Sequence, residues 1–279
     1  MEKIFIDGNS LTLEEFINVV RNGYKVELTK KATEEVEKSR KLVDKYVEEE
    51  KVVYGITTGF GKFSDVSISK EETKKLQRNL IISHACGVGD PLDEEIVRGV
   101  MLLRANALAK GYSGIRLSTL NTLIDMLNKG VHPIIPEKGS LGASGDLAPL
   151  AHMVLVMLGE GEAYYKGERL SGKEAMDKAG ISIVELTSKE GLALINGTQV
   201  MTSIGALATY DGIKLSKMAD ITAALTVEAL NGITDAYDQR INQVRAHQGQ
   251  MDTSKNLLNL LDNSQMTTRQ GELRVQDAY

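Results

Sequence analysis

The chain has 279 residues, 42% of them apolar, with a formal net charge of −5. That length supports one large domain or two smaller ones around a substantial core, and the interspersed charges argue against a nucleic-acid surface, which needs clustered lysine and arginine. The single cysteine, Cys86, excludes an internal disulfide; it suits a reducing compartment such as the cytoplasm, and no run reaches the ~20 apolar residues of a membrane span.

Met1-Glu2-Lys3-Ile4-Phe5-Ile6-Asp7 is too short in apolar length and too acidic for a signal peptide. Lys3 to Ile6 reads as a strand closed by a turn at Asp7-Gly8-Asn9. Thr12-Leu13-Glu14-Glu15 has capping-box spacing and opens a short helix that Gly23 can end. Tyr24 to Leu28 alternates like a strand. Ala32, Val36, Val43 and Val47 recur at helical spacing as far as about Glu50. Val52-Val53-Tyr54 leads into Gly55-Ile56-Thr57-Thr58-Gly59-Phe60-Gly61, a glycine-rich loop.

From Glu71 the pattern is helical, with helices expected near 71–84, 93–110 and 115–129. The stretch Gly139 to Gly145 interrupts them. A further helix is expected to start at Asp146, whose carboxylate suits the first-turn dipole. Ala163 to Leu170 reads as a hairpin around Lys166-Gly167. Thr187-Ser188-Lys189-Glu190 is a second capping box, opening a helical stretch broken at Asn196-Gly197 and running to about Leu230. That stretch is apolar around most of its surface, so burial in a bundle core or against other subunits is expected. Four prolines over this length suit long helices. The chain ends at Gln276-Asp277-Ala278-Tyr279 without a polar tail, which reads as truncation.

Several generic chemistries fail. Gly142-Ala143-Ser144-Gly145 lacks the glycine two places after the serine that a nucleophile elbow needs. Gly55 to Lys62 has the wrong spacing for a phosphate loop. His84, His132, His152 and His247 are scattered singly, so no metal site is expected.

The informative segment is Gly139-Ser140-Leu141-Gly142-Ala143-Ser144-Gly145-Asp146-Leu147-Ala148-Pro149-Leu150-Ala151-His152. It resembles the signature of the histidine and phenylalanine ammonia-lyase family. The resemblance implies that Ala143-Ser144-Gly145 cyclises into a methylidene-imidazolone group, with attack of the Gly145 nitrogen on the Ala143 carbonyl carbon and loss of two waters. The residue types suit that reaction: Gly145 permits close approach and strained angles, Ala143 does not block the ring, and Ser144 supplies the hydroxyl that is lost. Asp146 is a candidate for proton transfer during the dehydrations.

The resemblance extends over nearly the whole chain. Tyr54 to Gly61 resembles the loop whose tyrosine takes the substrate β-proton, although tyrosine ordinarily titrates near ~10. Gly191-Leu192-Ala193-Leu194-Ile195-Asn196-Gly197-Thr198 resembles a signature whose asparagine lies near the prosthetic group and substrate. Gln276 to Tyr279 resembles the start of a motif whose Gln276 and Tyr279 would face the active site. The family's next arginine, which pairs with the substrate carboxylate, lies beyond Tyr279, as does a later helix bearing a catalytic glutamate. Ser83-His84 resembles the histidine branch, since tyrosine lyases usually carry His-Leu and phenylalanine lyases Phe-Leu there. His84 would hydrogen-bond the substrate imidazole, with Ser83 beside it. Glu160-Gly161-Glu162-Ala163 and Gly249-Gln250-Met251-Asp252-Thr253 also resemble that branch.

The expectation is therefore a mainly α fold, a long-helix bundle with a small mixed α/β N-terminal part. Residues 1–190 would form a domain carrying the Ala-Ser-Gly loop, and 191–279 the start of an incomplete central bundle. The implied reaction is elimination of ammonia from L-histidine to trans-urocanate, with no dissociable cofactor, no nucleic acid and no membrane. The family implies a homotetramer with each site built from three subunits. The alternatives are a tyrosine or phenylalanine ammonia-lyase, an aminomutase, or a folded but non-catalytic fragment.

Overall fold

The computed structural model describes residues 2–49, 51, 53 and 70–278. The loop at 54–61, with Tyr54, and the terminal Tyr279 lie outside the described residues. Local signals account for the first elements. Lys3–Ile6 (β1) and Lys25–Leu28 (β2) pair in parallel, with Lys3 opposite Lys25. Between them Leu13–Asn22 (α1) carries the expected capping box from Thr12 and Glu15, and ends at a left-handed Gly23. It buries Phe16, Ile17, Val19 and Val20. Lys30–Glu48 (α2) starts at Thr29, whose hydroxyl accepts the Ala32 N–H at 3.1 Å. Its Ala32, Val36 and Val43 are buried, as their helical spacing requires.

Lys70–His84 (α3), Glu94–Ala109 (α4) and Leu117–Lys129 (α5) follow within two residues of the expected bounds. α4 packs against α1, α2 and α5. It buries Val100, Met101, Leu102, Ala105 and Leu108, each almost fully. Burial of a side chain of that size contributes about 1.5–3 kcal/mol. Leu147–Met157 (α6) is nearly all buried and packs against α3, together with two helices described below.

The strand reading was incomplete. Val88–Pro91 (β3) pairs antiparallel with Pro136–Lys138 (β5). Val131–Pro133 (β4) joins Glu162–Tyr165 (β6) and Glu168–Ser171 (β7) in the order β4-β6-β7. Strands of three or four residues containing proline or glycine carry no readable alternation. The β6–β7 hairpin is as expected, with positive φ at both Lys166 (51°) and Gly167 (82°).

Two helix-start readings are corrected. Gly172–Lys178 (α7) was not anticipated, although Ser171 and Glu174 form a complete capping box. At the expected box of Thr187 and Glu190, the helix is Glu190–Ile195 (α8) with a left-handed Lys189 at its N-cap. Glu190 does reach back to the Thr187 N–H, at 2.9 Å. But its own N–H donates to the Thr187 carbonyl, not to the hydroxyl. The carboxylate is fully buried and shared with Arg116 and Thr119, so a tertiary ion pair replaces half of the local motif. α6 packs on both α7 and α8.

Two compact units are present, residues 1–207 and 208–279. Gln199–Ala229 (α9) begins in the first and continues in the second. The second also holds Gln239–Arg245 (α10) and Gln248–Leu260 (α11), where Leu257 and Leu261 pack with Ala224, Val227 and Tyr237. The expectation that α9 is buried is not met within this chain: Met201, Ile204, Ile213, Leu215, Met218, Ile221 and Leu225 are all exposed. No described helix is long and apolar enough to cross a membrane.

Candidate functional site

The Gly139–Gly145 stretch runs from the end of β5 to the start of α6. Ala143 and Ser144 form a turn with exposed side chains. Gly145 follows at φ 86°, in the left-handed region. A methyl group there would stand 2.2 Å from the Gly197 carbonyl oxygen, so only glycine fits. The same carbonyl accepts the Asp146 N–H at 2.6 Å. Gly145 and Gly197 thus form an isolated parallel bridge between two segments far apart in sequence.

Asp146 differs from expectation. It is the N-cap of α6, but makes no side-chain cap to that helix. Its buried carboxylate instead caps the next segment: Oδ2 accepts the N–H groups of Val200 and Met201 at 2.8 and 3.1 Å, in the first turn of α9. Oδ1 accepts the Ser140 hydroxyl at 2.7 Å. One carboxylate therefore ties the start of the glycine loop to the helix that follows Asn196-Gly197.

Asn196 is the C-cap of α8, with an exposed side chain. Its backbone is held from below by Arg104 of α4, which sequence reasoning missed. Arg104 is buried, with 6% of the residue exposed. Nη1 donates to the Asn196 carbonyl at 2.7 Å and to Gln199 Oε1 at 2.9 Å, and Nη2 to the Ala193 carbonyl at 2.6 Å. Burial pushes its pKa down to about 10, which leaves it cationic at neutral pH. The signal was present in the sequence: a lone cation inside Val100-Met101-Leu102-Leu103-Arg104-Ala105 must find buried acceptors.

Ser83 and His84 end α3. Both Ser83 Oγ and His84 Nδ1 approach the Leu80 carbonyl, at 3.0 and 2.8 Å. A carbonyl only accepts, so Nδ1 carries a proton, and in the neutral ring Nε2 is then the acceptor. Three residues on, the Gly87 N–H donates to His152 Nε2 on α6 at 3.0 Å. Burial holds the His152 pKa below the usual histidine range, in keeping with a neutral acceptor. The pairing of Val88 with Lys138 joins the same segment to the start of the glycine loop.

The structure therefore brings together three of the motifs, at 83–89, 139–152 and 191–198. Gln276 lies in the second unit, where it lines a cavity of about 420 Å³ with Ile233, Asp235, Ile241 and Val275. Asp277 pins that segment by accepting the Ile233 N–H at 2.8 Å and by pairing with Arg274 at 2.6 Å.

The sequence model described as aromatic amino acid lyase matches residues 11–279. The histidine ammonia-lyase of Alkaliphilus oremlandii is 70% identical over all 279 residues of this chain, which cover 55% of that protein. The histidine ammonia-lyase of Clostridium tetani is 67% identical, with 54% of its length covered. The chain thus spans about half the length of these relatives. Among solved structures, the phenylalanine aminomutase of Pantoea agglomerans superposes with a TM-score of 0.90 at 33% identity, over the whole of this chain and 57% of that one. The histidine ammonia-lyase of Trypanosoma cruzi gives 0.85 at 37% identity, over 92% of this chain and 50% of that one.

Proposed function

Because the chain belongs to the aromatic amino acid lyase family, we propose that it is the electrophile-bearing part of an enzyme that removes ammonia from L-histidine, leaving trans-urocanate. The observation that carries this reading is the clasp of Gly145 and Asp146 on Gly197. It holds the loop in a conformation open only to glycine and places it beside Asn196. The residues fit the family's methylidene-imidazolone group. Gly145 is left-handed with no room for a Cβ, while the side chains of Ala143 and Ser144 are exposed.

The chain's own residues make the group. The Gly145 nitrogen bonds to the Ala143 carbonyl carbon, and the carbonyl oxygen leaves as water with the Gly145 and Ser144 amide protons. Ser144 then loses its hydroxyl and α-hydrogen as a second water. The group supplies a carbon electrophile that draws electron density from the substrate, at its amine or at its ring. His84 Nε2, fixed as an acceptor by the Leu80 carbonyl, receives an N–H of the substrate imidazole, and Ser83 keeps the ring in place. Asn196 binds beside the loop and Tyr54 removes the β-proton, while Gln276 and Tyr279 keep the substrate-facing roles that the family resemblance gives them. The mature assembly is a cytoplasmic homotetramer whose subunits cover the exposed apolar side chains of α9.

The identities of 70% and 67% to histidine ammonia-lyases favour this substrate over those of the aminomutases, to which identity is about half as high. The test is to incubate the longest natural form of the protein with L-histidine, L-tyrosine and L-phenylalanine, following the ultraviolet absorbance of the conjugated products. Urocanate formation with little turnover of the other two is expected. Preference for L-tyrosine or L-phenylalanine, or no turnover at all, would overturn the assignment.

A further inference from the structure

Ring closure within Ala143-Ser144-Gly145 needs the Gly145–Asp146 peptide to stay still while the loop contracts. What holds it is the Gly197 carbonyl, 2.6 Å from the Asp146 nitrogen. Gly197 lies in the short break between α8, which ends at Ile195, and α9, which starts at Gln199. Arg104 spans that break. Its single guanidinium gathers acceptors at positions 193, 196 and 199, on both sides of the break. The grip is tight: a Cβ on Gly197 would stand 2.5 Å from Arg104 Nη1 and 2.2 Å from Gln199 Oε1. Gly197 is thus held between the guanidinium on one side and Gly145-Asp146 on the other.

We propose that Arg104 is a positioning residue for formation of the electrophile, acting through the Asn196-Gly197 peptide and touching none of the reacting atoms. This rests on the reading of Ala143-Ser144-Gly145 as a cyclising segment. The planar fork matters as well as the charge, because an ammonium cannot reach the carbonyls of residues 193 and 196 and the Gln199 amide with one fixed geometry. The hydrogen bonds of Arg104 go to residues 193, 196 and 199, so its loss shifts the support without removing any group from the ring.

The experiment compares wild type with Arg104→Lys and Arg104→Met in the longest natural form of the protein. The readouts are the mass of the peptide containing Ser144, taken at intervals after synthesis, and the folded fraction and melting temperature by circular dichroism. Per folded molecule, loss of two waters should slow by about tenfold to a hundredfold in Arg104→Met, the range expected when a reacting geometry is misplaced by about 1 Å. Arg104→Lys should fall between that and wild type, and decides the matter if Arg104→Met does not fold. Wild-type rates of water loss in folded Arg104→Lys and Arg104→Met, or a slowing that follows only the unfolded fraction, would overturn the proposal. A wild-type chain that keeps both waters would instead overturn the reading on which it rests.

Discussion

Asp146 separates a structural role from a chemical one. The residue is 5% exposed, and its carboxylate accepts hydrogen bonds from Ser140 Oγ, Val200 N and Met201 N. Hydrogen bonds to a charged acceptor contribute about 1.5–3 kcal/mol each, and loss of a helix N-cap costs about 1 kcal/mol. Asp146→Ala leaves the buried Val200 amide, the part-buried Met201 amide and a hydroxyl without their acceptor, so a loss of about 3–5 kcal/mol is expected. In Asp146→Asn, the amide oxygen can still accept from Val200 and Met201 while the NH₂ donates to the Ser140 hydroxyl, so about 1 kcal/mol is expected. Urea unfolding of the two variants measures this difference, and the mass of the Ser144 peptide reports cyclisation in the same samples. If Asp146 moves protons during the dehydrations, Asp146→Asn should cyclise as poorly as Asp146→Ala despite being far more stable. Equal destabilisation by the two substitutions would refute the hydrogen-bond argument. Normal cyclisation in Asp146→Asn would refute the proton-transfer role and leave the side chain as a tether.

Two more predictions concern the first unit. Gly142 and Gly145 both have left-handed φ, but an added methyl meets nothing within 4 Å at Gly142 and a carbonyl oxygen at 2.2 Å at Gly145. Gly142→Ala should therefore cost about 1 kcal/mol of backbone strain, and Gly145→Ala at least about 2 kcal/mol more, by urea unfolding; equal losses would rule out the contact with Gly197. His132 is buried, which with the Arg98 guanidinium outweighs the nearby Glu94 carboxylate and lowers its pKa from 6.5 to about 4. A depressed histidine pKa means stability that is complete above about pH 6.5 and is lost as the pH falls towards 4. The loss should reach about 2–3 kcal/mol at pH 4.5, at ~1.4 kcal/mol per pKa unit. His132→Gln keeps an acceptor for Arg98 and a donor for Glu94 but cannot titrate, so the difference between wild type and variant isolates the effect; parallel pH profiles would exclude it.

The sequence by itself determined whatever depends on neighbours a few residues apart. The Thr12 and Glu15 box, the left-handed Gly23, the Lys166-Gly167 turn and the helical runs of α2 to α6 all stand where local patterns put them. The glycine loop, the Asn196-Gly197 break and the Ser83-His84 pair were legible as motifs only through their resemblance to the ammonia-lyase family, because taken alone each reads as an ordinary turn or helix end. What tertiary structure alone decided was which groups share a partner. Arg104 meets Asn196 across 92 residues, and Asp146 meets Val200 across 54. Glu190 gives up half of a local cap for Arg116, 74 residues away. A buried charge takes whichever partners the packing of helices delivers to it, and no spacing along the chain encodes that choice. The same reason explains α9: its apolar pattern demanded cover, but only the fold could show that residues 199–229 leave much of that surface exposed within this chain.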